Sequence, residues 1–413
     1  MPNPVRAESS LRRHCRLLIA MSILTPILAS CGGGGGGDGD GDGDGIGPFW
    51  VPTDVAVADM NGDGRGDIVT LAQYAASQGN REGRLIAHPQ GVAAAAQTSI
   101  VGRYPWRLAM GDIDGDGAVD AAVVDVDGSR GVWVLLQDPN NRGRFLAARE
   151  VATGFQPYAI AIADLNGDAV PDLAVADERS GAARLMLLHQ DPAQRGTFRP
   201  AVSLAVPGRS TTAVTTGDLD GDGRADLALT IALEPAGYTP RSVIGVSLQK
   251  ADGTMGTVAT LTQQTGLLVE RMKIADYDGD GMNDVFGYFR TSDAARYDPQ
   301  LIVWLQGPTR GSYAAPASTS MRGLNGTMDA AIADLDGDNR PDAAVAGYVP
   351  AGAQPQPRGR LHRFTQSGGG LYAIVSTTEM SFDVSRVAAG DVDGDGRNDL
   401  VVLGSEDRYV VFR

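Results

Sequence analysis

Seven blades of antiparallel strands, an all-β propeller, are what this sequence predicts. Three observations carry the prediction. One nine-residue motif rich in Asp and Gly recurs seven times. Its copies begin 53, 52, 54, 58, 58 and 57 residues apart, a near-constant period. The stretches flanking each copy alternate in hydrophobicity as strands do, and no long helical pattern competes. Self-similarity at such a period marks stacked units, none of which buries both faces alone.

Composition sets the outer bounds. The 413 residues hold 35 Lys+Arg against 50 Asp+Glu, a formal charge of −15. That acidity argues against nucleic acid as a partner, since its binders need positive surface to displace counterions. Two cysteines exclude a disulfide scaffold or a Cys-rich zinc module. His14, His88, His189 and His362 are scattered and form no metal-type pair. The 55 glycines and the excess of Asp are what the motif accounts for.

Residues 1–30 read as a signal peptide. Arg6, Arg12, Arg13 and Arg16 face one acid, Glu8, and an apolar run follows from Leu17 to Leu28. The run is too short to span a bilayer, which needs ~20 apolar residues, and suits a signal h-region. It ends in Leu28-Ala29-Ser30-Cys31, which resembles the lipobox of bacterial lipoproteins. The resemblance implies cleavage before Cys31, acylation of its sulfur and a membrane anchor. Gly32 after the cysteine favours the outer membrane, with the domain facing the periplasm or the cell surface. Residues 31–48 form the lipidated cysteine and a Gly/Asp-rich tether that cannot pack a core. Residues 49–413 are the propeller, with blades starting near 54, 106, 158, 211, 271, 328 and 385.

The motif has a cation-binding logic. Carboxylates or amides at positions 1, 3 and 5 converge when the loop curls, position 7 offers its carbonyl, and the Asp at 9 closes the shell. The donors are Asp59, Asn61, Asp63, Arg65 and Asp67 in copy one, and Asp112, Asp114, Asp116, Ala118 and Asp120 in copy two. Asp164, Asn166, Asp168, Val170 and Asp172 follow, then Asp218, Asp220, Asp222, Arg224 and Asp226. Copy five supplies Asp276, Asp278, Asp280, Met282 and Asp284. The last two supply Asp334, Asp336, Asp338, Arg340 and Asp342, and Asp391, Asp393, Asp395, Arg397 and Asp399. An all-oxygen, flexible shell suits Ca²⁺ better than octahedral Mg²⁺, so about seven calcium ions are expected. Without a cation the like charges repel. Position 4 is always Gly, and position 6 is Gly in five copies, as a left-handed turn prefers. Asn339 and Ala169 replace it in copies six and three, so loop three should be strained and hold its ion less tightly. Arg65-Gly66-Asp67 spells an integrin-recognition tripeptide, but Asp67 is needed as a ligand of loop one.

Each blade then reads as four strands. The residue before the motif is always small: Ala58, Gly111, Ala163, Gly217, Ala275, Ala333 or Gly390. That fits an innermost strand where sheets crowd together. Six third strands end at a matching Gln (Gln90, Gln137, Gln190, Gln249, Gln306 and Gln366), read as amides that cap a hairpin turn. Blade seven stops at its third strand, Tyr409 to Phe412. Its outer strand must come from the Gly/Pro-rich segment before Val55, a weak clasp, or be missing.

On these loops and flanking strands, residues 49–413 resemble the FG-GAP/VCBS repeat family, which includes the propeller of integrin α-subunits. The resemblance implies calcium in the hairpin between first and second strands and ligand binding on the opposite face. Aromatics and Arg gather on that face. Tyr104, Trp106, Arg107, Tyr158, Tyr238 and Tyr297 are the candidate ligand residues, and Arg271 and Arg386 lie near the starts of inner strands. Flat rings and forked donors suit a glycan or a protein. The reading is a monomeric, non-enzymatic binding or adhesion module. The alternatives are a structural part of an envelope assembly, or a lyase-like polysaccharide-active enzyme on the same scaffold. An enzyme needs a convergent acid–base constellation, and none stands out, because most acids serve the loops.

Overall fold

The computed structural model describes residues 49–75, 82–90, 96–126, 131–177, 183–233, 241–265, 268–290, 299–309, 311–321, 327–348, 359–404 and 409–413. The predicted signal segment, Cys31 and the tether lie outside them, as do Tyr238 and Tyr297. The described chain is all-β, built as seven separate antiparallel sheets: six of four strands and one of three. Blade three is representative. Its strands are Pro157–Ala163, Asp172–Asp177, Arg184–Leu188 and Val202–Ala205, hydrogen-bonded in sequence order. The seven-bladed propeller read from the sequence is the fold of this chain.

Burial follows the expected logic of stacking. The second strand of blade three, Asp172–Asp177, is buried at all six residues, because both its faces meet neighbouring blades. Seven hydrophobic clusters fill the seven gaps between blades. One example joins Leu173 and Val175 of blade three to Val124, Val132 and Val134 of blade two. The cluster that closes the ring joins Val55 and Ile68 of blade one to Val392, Val401 and Leu403 of blade seven.

The small residue before each motif has a direct cause. A Cβ on Gly217 would lie 2.7 Å from Ile274 of the next blade, and one on Gly390 would lie 2.6 Å from Val57. At these two glycines the inner strands approach too closely for a Cβ, whereas a Cβ on Gly111 would meet Ile162 at 3.5 Å and the other four copies carry Ala.

Closure of blade seven differs from the clasp considered from sequence. Residues before Val55 extend the inner strand of blade one, Phe49–Ala58, and Phe49 to Pro52 pair with Ala75 to Ala72. They do not add to blade seven. Among the described residues that blade has three strands, Val384–Gly390, Asp399–Gly404 and Tyr409–Phe412. The physical reason is register: the pairing is continuous from Ala58 back to Phe49 save for one bulge, so the segment is already committed.

Candidate functional site

Each aspartate loop is a hairpin between the first and second strands of a blade, and its carboxylates are held by backbone. In loop four, Asp218 Oδ1 accepts the Gly221 N–H at 2.6 Å and Oδ2 accepts that of Gly223 at 2.8 Å. Asp220 Oδ1 accepts from Asp222, and Asp222 Oδ1 from Arg224. Asp226 closes the loop from the second strand. Its Oδ2 accepts the Leu219 N–H at 2.7 Å, and its Oδ1 the Gln249 N–H at 2.7 Å. The other loops repeat this pattern closely. Even loop seven, which has no matching Gln, keeps the bond from Val392 N–H to Asp399 Oδ2.

Two features of this scaffold were not read from sequence. The residue at position 2 is a buried pin: Met60, Ile113, Leu165, Leu219, Tyr277 and Val392 are all under 5% exposed. Each anchors its loop in the gap between blades and donates its N–H to the closing Asp. The apolar alternation inside the motif was the available signal. The matching Gln also does more than cap a turn. Its Oε1 accepts from the hairpin, as Gln137 does from Gly143 at 2.9 Å and Gln306 from Gly311 at 2.7 Å. Its Nε2 can also reach the preceding blade: Gln190 donates to Ile113 O at 2.8 Å and Gln249 to Asp164 O at 3.0 Å. Asn283 and Asn398 stitch neighbouring loops in the same way.

The result is a set of preformed oxygen clusters. Carboxylate oxygens of positions 1, 3 and 9 lie within 4.8 Å of one another in five loops: Asp112/Asp114/Asp120, Asp218/Asp220/Asp226, Asp276/Asp278/Asp284, Asp334/Asp336/Asp342 and Asp391/Asp393/Asp399. Loops one and three carry Asn61 and Asn166 at position 3. Burial pushes Asp120 and Asp226 up to about 6 and Asp284 up to about 7, against the backbone N–H bonds each accepts. Asp114, Asp220 and Asp278 are also raised, by burial and then by the neighbouring position-5 carboxylate. Oxygens this crowded fit a hard divalent cation, which would supply the missing positive charge.

Loop three departs from the rest as anticipated. Ala169 takes φ 62° and Asn339 of loop six φ 63°, the two non-glycine residues of positive φ among those described. His189 also enters loop three, with Nδ1 2.9 Å from Asp172 Oδ2. That hydrogen bond raises the histidine above its ordinary value, although burial opposes it. The Arg65-Gly66-Asp67 tripeptide is not displayed for recognition: Gly66 is buried, and Asp67 is 1% exposed and bonded to Met60 and Gln90 N–H.

At the other end of the inner strands, six of seven blades carry a β-bulge at one equivalent place, six residues before the motif. The skipped residues are Thr53, Trp106, Tyr158, Glu270, Met328 and Ser385. Bulges re-aim side chains. The residues just after them, five before each motif, include Asp54, Arg107, Arg271, Asp329 and Arg386, and these meet. Arg271 of blade five bonds Asp329 Oδ1 of blade six at 2.6 Å and Asp54 Oδ1 of blade one at 2.6 Å, so it reaches past blade seven. Asp54 Oδ2 also accepts the Leu108 N–H at 3.0 Å, and Asp329 Oδ2 that of Val387 at 3.2 Å. Arg386 donates to Thr53 O and Ser385 O. The Arg107 and Arg386 guanidiniums lie 5.1 and 5.6 Å from the Trp106 ring, and the Tyr158 ring lies 5.8 Å from it. Thus Trp106, Arg107 and Tyr158 of the predicted ligand set come together, while Tyr104 sits on the preceding turn, its N–H held by Asp125.

The family model of the FG-GAP-like repeat matches residues 112–175, 164–229 and 276–345. No curated protein is detectably similar in sequence. Among solved structures, the chain is similar to the crystal structure of exotype rhamnogalacturonan lyase YesX, at 14% identity and a TM-score of 0.48. The match covers 88% of this chain and 72% of that one.

Proposed function

Starting from a chain that carries FG-GAP-like repeats in a seven-bladed β-propeller, we propose a calcium-stabilised binding module anchored outside the cytoplasm. The loops take Ca²⁺ as structural ions. Their carboxylates are fixed by backbone N–H donors, and a flexible oxygen shell with a charged ligand set is what this ion prefers. The opposite face carries the recognition function, toward a glycan or a protein. One observation supports this most: Trp106 lies against Tyr158 and beside two guanidiniums at the end of the inner strands, away from the loops. Flat apolar rings beside forked donors are the usual anchors of a binding surface. Anchorage through a lipidated Cys31 and the tether would hold this face at a membrane without fixing its orientation.

The direct test is a glycan and protein array probed with the calcium-loaded chain, followed by Trp106→Ala and Tyr158→Ala. A specific ligand whose binding falls at least tenfold in both variants, with unchanged melting temperature, supports the reading. Turnover of a polysaccharide by the wild-type chain would overturn its non-enzymatic part.

A further inference from the structure

Blade seven departs from the other six at its rim. Among the described residues its sheet stops at the third strand, Tyr409–Phe412, so the outer edge of that strand has no strand paired to it. A free edge of N–H and C=O groups is a template for another strand. The third strand of blades two, three and five is buried at four of its five residues, whereas Tyr409–Phe412 has none buried.

Apolar side chains border this edge on three sides. Val410 lies opposite Val402, which packs with Leu361 of blade six, so Val410 faces blade six and is 37% exposed. On the blade-one wall, Leu85 packs toward blade two and pairs with Ser99, so the next residue, Ile100, faces blade seven. Ile100 is 51% exposed, where the matching residue of blades two, three and five is Ala152, Ala205 or Ser320. On the blade-six wall, Tyr372 packs with Val303 of blade five, which turns Leu371, 46% exposed, toward blade seven. Completing the blade takes one strand, added about 4.8 Å beyond Tyr409–Phe412. That strand would continue outward the hydrophobic gaps that already join blade seven to blades six and one. The outer strands of blades six and one extend one strand further than blade seven on either side, so the edge is recessed. A recessed edge admits a lone extended segment and excludes the rim of a second folded copy. Residues 32–45 are all Gly and Asp, poor strand formers that bring no apolar side chain to the notch.

We propose that the open rim of blade seven takes an extended segment of another polypeptide as its fourth strand, uncharged and β-branched where it meets Val410, Ile100 and Leu371. Main-chain hydrogen bonds to Tyr409–Phe412 give the affinity, and the two apolar walls select the side chains. This surface lies apart from Trp106, and the inference does not depend on what binds there.

A random 12-residue peptide library, selected on the calcium-loaded full chain, tests it, with affinities of the recovered peptides read by fluorescence anisotropy. The peptides should share a core of Val, Ile and Thr and bind at least tenfold more weakly to Val410→Asp and to Ile100→Asp. Val202→Asp, an exposed change on the four-stranded blade three, should leave binding within twofold. Methylating backbone nitrogens at alternate core residues should abolish binding for one set and spare the other, since an added strand pairs along a single edge. No enrichment over the Val410→Asp/Ile100→Asp double variant would overturn the proposal, as would affinity unmoved by both changes or equal tolerance of the two methylation sets. Full competition by a peptide of residues 32–48 would give the notch to the tether instead. A dimer in ultracentrifugation that Val410→Asp dissolves would give it to a second copy. Either result also overturns the proposal.

Discussion

The closing aspartate of each loop performs two tasks that substitution can separate. Asp226 accepts buried N–H bonds from Leu219 and Gln249, and its oxygens also belong to the carboxylate cluster with Asp218 and Asp220. Asp222, exposed at position 5, accepts the Arg224 N–H and the Arg224 side chain. Asp226→Ala leaves two donors unsatisfied at about 1–3 kcal/mol each, so it should destabilise the fold with or without calcium. Asp222→Ala should cost stability only when calcium is present. Urea titrations in calcium and in EDTA check the pair. Backbone strain gives a second prediction at this scale. Ala169 at φ 62° sits where a Cβ costs roughly 1–2 kcal/mol, so Ala169→Gly should raise the melting temperature and the calcium affinity of loop three. An unchanged calcium titration in that variant would show that strain at Ala169 does not limit the site.

At the scale of the loop, burial of the closing carboxylates predicts an inverted pH dependence. In the metal-free protein Asp120, Asp226 and Asp284 are raised by burial to about 6, 6 and 7. Between the ordinary value of 3.8 and those values the folded state holds protons that the unfolded state has lost. Stability then falls as pH rises through that window. In EDTA the chain should melt at a higher temperature at pH 5 than at pH 8. Calcium needs the ionised carboxylates, so saturating calcium should reverse the order. Scanning calorimetry at the two pH values, with and without calcium, reads this out. A higher melting temperature at pH 8 in EDTA would mean that burial of the closing carboxylates is not what limits the metal-free loops.

For the whole molecule, closure and charge are the governing quantities. Among the described residues, the gap between blades seven and one holds five buried hydrophobic residues, against nine to twelve in the others. Blade seven adds no fourth strand among the described residues. The Arg271 bridge from blade five to Asp54 of blade one therefore bears on ring integrity. Arg271→Met leaves Asp54 and Asp329 buried without their cation and should cost about 3–5 kcal/mol in urea unfolding. Adding Asp54→Asn and Asp329→Asn to it should recover part of that loss. Bound calcium would act globally as well. The seven motifs hold 26 of the 50 acids, and residues 31–413 carry a formal −18 that seven divalent ions would bring to −4. An ion that binds only the folded state stabilises it, by about 2.7 kcal/mol per site at a hundredfold excess over Kd. EDTA should therefore lower the melting temperature sharply, and an unmoved transition would remove the structural role for calcium.

Much of this was written in the sequence, because it depends on local spacing. The offsets 1, 3, 5 and 9 bring oxygens together within nine residues, whatever the rest of the chain does. Strand alternation and a period near 55 residues then required seven stacked sheets. The small residue before each motif already reported crowding at the axis. What local pattern could not specify was which distant residues meet there. Asp54 and Arg271 are 217 residues apart, and Thr53 and Arg386 are 333 apart. Their positions five before a motif are visible in sequence, but their encounter requires the ring to close and each bulge to turn the side chain inward. The fate of the segment before Val55 was likewise a matter of register, since the same residues could lengthen blade one or complete blade seven. Local geometry thus determined the blades and their cation loops. Only closure of the ring decided the charged axis, because there the seven inner strands come within reach of one another.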